Sequence, residues 1–179
     1  MGRTTNSTLA LFVGAVLGII TALHGLGNFG LKPVPGASRW AQWQVGGNDT
    51  FQIYALGHFL SEGQLPPPKS SASYLRSVDD EGNSLRADCI YFVDGTLPPS
   101  RWWSMTVADG RGSEPRSELT AGEAITSQSG ELRVTISARP MPGNWIMPPN
   151  SSNLTLSFVV NEAVPGYDIA LPAIKKASC

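Results

Sequence analysis

Histidine and cysteine are nearly missing: 179 residues hold two of each, His24, His58, Cys89 and Cys179. Two cysteines exclude a cysteine-only zinc site and a dense disulfide scaffold. No histidine follows His58 to activate a serine, and no Gly-x-Ser-x-Gly elbow occurs, so a serine triad has no parts. Charge is sparse as well. Only 15% of residues are charged, 13 Lys plus Arg stand against 14 Asp plus Glu, and the net charge is -1. Without a basic run the phosphates of a nucleic acid have nothing to neutralise them, so no nucleic-acid partner is expected. No metal and no cofactor are expected either. What the chain does have is 41% hydrophobic residues, enough for one domain with a core.

The apolar residues are unevenly spread. Residues 9–23 contain one polar member, Thr21, and the apolar character continues through Leu26 toward Leu31. A bilayer core of ~30 Å needs about 20 helical residues, so 9–31 reads as a transmembrane anchor with His24 near the headgroups and 1–8 as a cytoplasmic N-terminus. A cleaved signal peptide is the competing reading, but no clean small-x-small pair follows the run. Arg3 on one side faces Lys32 and Arg39 on the other, so charge counting does not fix orientation. Short apolar first segments usually export the residues behind them, so the rest of the chain is expected in the periplasm, held to a bacterial inner membrane. Gly14 and Gly18 form a Gly-x-x-x-Gly pair on the anchor.

Residues 32–47 carry Pro33, Pro35 and Gly36 and read as a stiff tether. Trp40 and Trp43 suit either a membrane interface or packing on the domain. Asn48 and Asp49 can cap a short leading helix that begins near Thr50 and ends by Gly63, with Phe51, Tyr54, Ala55, His58 and Phe59 on one side. His58 there reads as a packed residue rather than a ligand. Beyond Pro66 the period becomes two. Residues 73–78 and 88–93 flank the turn-rich 79–83, a hairpin signal, and apolar residues alternate at 103/105/107, 132/134/136 and 154/156/158. The fold class expected for 48–179 is mainly β, an antiparallel β-sandwich of jelly-roll-like type with one short leading helix.

Few motifs carry chemistry. A calcium loop starting at Asp79 needs glycine at its sixth position and a carboxylate at its twelfth, where Ser84 and Ile90 stand. Glycosylation-type triplets at Asn6, Asn48, Asn150 and Asn153 specify too little to weigh. Asp94, Asp109, Glu114, Glu118 and Glu123 are the reservoir from which a general acid and base could be drawn. Trp102 and Trp103 must point to opposite faces of a strand, one toward the core. With Arg101, Asp109, Asn144 and Trp145 they make a candidate ligand or partner surface, an aromatic cleft for a planar or carbohydrate-like molecule. Packing of large rings in a small domain explains them equally. A Cys89–Cys179 bridge would tie the tail to the sheet and contribute roughly 4 kcal/mol in an oxidising compartment; two free thiols are the alternative.

Asp80-Glu81-Gly82-Asn83-Ser84-Leu85, Cys89-Ile90-Tyr91, the run from Leu97 through Arg101-Trp102-Trp103 to Thr106, and Pro142-Gly143-Asn144-Trp145 occur in that order. Together they resemble the bacterial family called domain of unknown function 1214, over about 48–179. The resemblance implies a β-sandwich in the cell envelope and no established reaction. Family members usually carry a long Asn- and Pro-bearing loop after the paired tryptophans, where this chain has the shorter 109–116. Larger relatives join a second domain, of unknown function 1254, which implies a separately encoded partner resembling it. The function expected is thus an anchored accessory or binding protein exposed to the periplasm; the alternative is a hydrolase of an envelope or carbohydrate substrate, with carboxylates beside the aromatic cleft.

Overall fold

The computed structural model describes residues 2–28, 30–44, 71–96, 100–110, 117–163 and 169–179, with side chains described for all of these but 2–6, 23–32, 38, 43–44 and 163. The leading helix expected from near Thr50 to Gly63, with His58, lies outside the described residues. So do Glu114 and the Pro98-Pro99 pair.

Helix α1 (Gly2–Asn28) is followed by ten strands: β1 (Gly30–Val34), β2 (Ala37–Gln44), β3 (Ser71–Arg76), β4 (Ile90–Thr96), β5 (Ser100–Asp109), β6 (Glu118–Thr120), β7 (Glu131–Ile136), β8 (Asn144–Ile146), β9 (Leu154–Ala163) and β10 (Ala173–Ser178). One sheet runs β1-β2-β3-β9-β5-β6 and is antiparallel throughout; the other runs β10-β4-β7-β8, where β7 and β8 are parallel. The period-two pattern now has its reason. Trp103, Met105 and Val107 of β5 and Leu154, Leu156, Phe158 and Val160 of β9 enter one buried cluster from the first sheet. Tyr91 and Val93 of β4, Leu132, Val134 and Ile136 of β7 and Ile174 of β10 enter it from the second. Each such side chain contributes about 1.5–3 kcal/mol of burial, which is what holds the two sheets as a sandwich.

The segment read as a tether, 32–47, is instead largely strand. Pro35 and Gly36 occupy the central positions of a tight turn, with Gly36 at φ 79°, and Val34 pairs with Ala37 across it. Proline is suited to the first central position of such a turn and glycine to the second. Pro33 stands on the edge strand β1, beside a shift in its register with β2, and such edges and irregularities are where sheets accept proline. Trp40 of β2 is 2% exposed and donates its indole N–H to the Pro172 carbonyl at 2.9 Å, so it packs on the domain. The sandwich therefore begins at Gly30, before the expected boundary at 48. The helix ends at Asn28 rather than Leu31. Among the described residues no helix is long and apolar enough to cross a membrane.

The expected hairpin over 73–93 is also corrected: β3 and β4 belong to different sheets. The turn itself forms. Asp79 N–H donates to the Asn83 carbonyl at 2.9 Å, and Val78 bridges Ser84, but the chain then crosses to the other layer. Asp79, with no exposed surface, accepts the Asn83 backbone N–H at 2.8 Å and the Asn83 amide. Burial alone would raise its carboxyl pKa; donors from Asn83 and Gly82 and the charge of Lys176 outweigh that and hold it below the ordinary 3.8.

Two stitches close the flanks of the sandwich. On one, Arg76, 5% exposed, lies 5.8 Å from the Trp40 ring and pairs with Asp80 at 2.6 Å, while Asp80 exchanges bonds with Ile174 of β10. On the other, Ser117 beside β6 bonds both the N–H and the carbonyl of Met147 beside β8. Ser178 pairs with Ile90, so the next residue outward on each strand meets its counterpart, and Cys89 and Cys179 are joined by a disulfide.

Candidate functional site

The structure divides the residues expected to form an aromatic cleft. On β5, Trp103 is 3% exposed and packs edge-on against Phe158, with ring centroids 6.1 Å apart. Trp102 points the opposite way, out of the six-stranded sheet, and is 38% exposed. Trp145 sits on β8 of the other sheet between the inward residues Asn144 and Ile146, so it faces outward there, with its indole N–H on the Ser137 carbonyl at 2.8 Å. The core thus lies between Trp102 and Trp145. They form no common cleft, because adjacent residues on a strand alternate faces and the two strands belong to opposite layers.

Carboxylates fare similarly. Asp94 lies on the four-stranded sheet and takes a two-pronged bond from Arg133, at 2.7 and 3.1 Å. Asp109 ends β5, opposite Leu154. Glu118 pairs with Thr106, three residues short of Asp109, about 10 Å along the strand at ~3.3 Å per residue. Glu123 accepts the Thr120 hydroxyl, and exposed Arg101 pairs with Glu162 at 3.3 Å. Asp94 is thus on one sheet and Asp109 and Glu118 are on the other. Among the described residues, no group of three or more metal-binding side chains gathers.

A different concavity stands out. An open groove of about 1000 Å³ lies against the four-stranded sheet, floored by Asp94, Arg133 and Thr135 and rimmed by segments 125–127, 142–144 and 170–171. Its floor follows from strand register. Val93, Val134 and Ile136 turn inward, so Asp94 on β4 and Arg133 and Thr135 on β7 turn out. Phe92, Thr135 and Trp145 stand side by side on three adjacent strands, and Asp94 and Arg133 make the next row. Arg133 lies 5.2 Å over the Phe92 ring, and its forked bond to Asp94 raises the guanidinium's already high pKa. Stacking and fork together fix a long side chain that would otherwise be mobile.

Asn144 holds the rim. Only 8% exposed, its amide accepts the Ile125 N–H at 2.7 Å and donates to the Ile125 carbonyl at 2.6 Å and the Arg133 carbonyl at 3.0 Å. The loop before β7 is thereby locked to the strand after it. Asn144 was singled out in the sequence for its neighbour Trp145, whereas its role here is to shape the groove. Arg133 and Thr135 were visible as the polar partners in an alternating strand, but nothing in the pattern distinguished them from any solvated face.

A two-layer β domain whose open groove is built on the outer side of the smaller sheet is the class of molecule these features define. The chain belongs to the family described as protein of unknown function (DUF1214), whose model matches residues 70–162. None of the curated proteins matches. Among solved structures, the chain is similar to the VPA0106 protein from Vibrio parahaemolyticus, at 17% identity and a TM-score of 0.56, over 70% of this chain and 35% of that one. It is also similar to an uncharacterized protein from Burkholderia cenocepacia, at 18% identity and a TM-score of 0.51, over 62% of this chain and 30% of that one. At such identities the likeness is one of fold. The chain spans about a third of the length of these two proteins.

Proposed function

We propose that this chain is a single-pass, membrane-anchored accessory or binding protein whose sandwich, jelly-roll-like in its repeated crossing between two sheets, works on the periplasmic side of a bacterial inner membrane. The observation that carries this reading is the surface of α1. Leu9, Leu11, Phe12, Val13, Val16, Leu17, Ile19 and Ile20 are all exposed, from 39% to 74%, and the residues between them, Ala10, Gly14, Ala15 and Gly18, add no charge to the helix surface. A helix apolar all round has no stable place in water. The described apolar side chains from Leu9 to Ala22 fall short of a span alone, and the sequence continues with Leu23 and Leu26 to about the required 20 residues. The disulfide supports export, since such bonds persist in oxidising compartments.

The lipid bilayer, met through 9–31, is one partner. A protein resembling domain of unknown function 1254 is proposed as the other, on the family resemblance alone. The alternative, a hydrolase of an envelope or carbohydrate substrate, draws less support: Asp94 stands on one sheet, Asp109 and Glu118 on the other, and Glu114 lies outside the described residues. The test is fractionation of cells expressing the chain. The protein is expected in membranes after an alkaline wash, with Cys89 and Cys179 resistant to thiol alkylation unless reduced. Recovery in the soluble fraction with both thiols reactive would overturn the reading.

A further inference from the structure

We infer that the groove on the four-stranded sheet is a binding site for a neutral, linear oligosaccharide. Its volume of about 1000 Å³ lies at the upper end of the ~300–1,000 Å³ of small-molecule sites. It is open, so its occupant is extended and keeps one side in solvent. Charge narrows the class. Among the described residues, Asp94, Glu131 and Arg133 are the charged ones of the lining, a net of one negative charge, which disfavours phosphate-rich polymers. Asp94 is already taken by Arg133 and Glu131 is exposed at the rim, so no buried carboxylate among the described residues waits for a cation either.

What remains is a neutral fork with both kinds of hydrogen-bonding capacity. Arg133 spends its Nε and one Nη2 hydrogen on Asp94, which leaves its Nη1 donors, while the Asp94 oxygens keep lone pairs. Adjacent hydroxyls on a sugar each donate and accept, so a vicinal diol can give protons to the carboxylate while accepting from the guanidinium. Thr126 adds a hydroxyl at the rim, and exposed Ile125 with Leu171 offers apolar surface to the C–H faces of a pyranose. The Asn144 amide and the Phe92 ring hold these groups before any ligand arrives, which reduces the ordering cost of binding. The inference needs no membrane anchor and stands or falls separately from the proposal above.

The full chain in lipid nanodiscs, free of glycoside detergents, is titrated by calorimetry with triacetylchitotriose, cellotriose and maltotriose, and with trialanine as an extended peptide. At least one trisaccharide is expected to bind in the millimolar range or tighter. Arg133→Ala and Asp94→Asn, both on exposed or half-exposed side chains, are expected to weaken it about tenfold or more, and Trp102→Ala on the opposite face to leave it unchanged. Circular dichroism identifies any variant that has failed to fold, and Asp94→Asn, which keeps the side chain's shape, then decides. Absence of binding by all three saccharides, binding of trialanine instead, or affinity indifferent to both groove variants would overturn the inference.

Discussion

Replacing Asn144 by leucine tests whether the groove is held open by one amide. The substitution keeps the side chain's length and deletes three hydrogen bonds, to the Ile125 N–H, the Ile125 carbonyl and the Arg133 carbonyl. Each is worth about 1 kcal/mol net, and a buried group left unpaired costs about 1–3 kcal/mol. With Asn144 only 8% exposed, water has little room to replace the amide. Leucine recovers about 1 kcal/mol through its apolar surface, which leaves a loss of about 2–3 kcal/mol. At a urea slope of about 1.5 kcal/mol per molar, the unfolding midpoint should fall by roughly 1.5–2 M. Equilibrium urea denaturation followed by tryptophan fluorescence reads this directly, and hydrogen exchange at the Ile125 amide should accelerate beyond what the global change accounts for. A midpoint shift under about 0.5 M with Ile125 still protected would refute the reasoning, because it would mean that the rim is held by other contacts.

Three further outcomes are expected. Cys179→Ser opens a loop with a sequence separation of 90 and should cost about 4 kcal/mol of stability on the chain-entropy model; calorimetric melting with and without reductant should give the same loss for the parent protein. Trp103→Ala removes a ring in contact with Phe158 and should cost about 3–5 kcal/mol, whereas Trp102→Ala should cost under about 1 kcal/mol, a difference that paired denaturation curves resolve. The Asp79 carboxyl titrates lower in the folded chain than at its ordinary 3.8. Its contribution is therefore complete above the unfolded value and disappears as pH falls through the folded one. Asp79→Asn should flatten the loss of stability below about pH 4, measured as melting temperature against pH.

Alternation at period two made the central strands legible, because β5, β7 and β9 each bury one face in the shared core and leave the other outside. The paired tryptophans obeyed the same rule, one inside and one out. Other elements were hidden for physical reasons. Prolines in β1 and the adjoining turn read as punctuation, yet an edge strand and a tight turn are places that accept them. Strands β6 and β8 are three residues each, too short for any pattern to declare itself. Strand β10 carries Lys175 and Lys176 exposed on a sheet edge, where charge guards against unwanted pairing and erases the apolar signal. The groove was harder still, since it depends on β4, β7 and β8 lying side by side, a pairing that no local pattern specifies. Arg133 and Asp94 are 39 positions apart, and only the register brings them face to face.

The bond between Cys89 and Cys179 makes a covalent ring that threads both layers, taking in every strand from β4 to β10. A protease that nicks the backbone once inside this ring releases nothing: the two pieces stay on one molecule and migrate apart only after reduction. Resistance to shedding fragments is thus built into the connectivity of this body, independently of how tightly its core is packed.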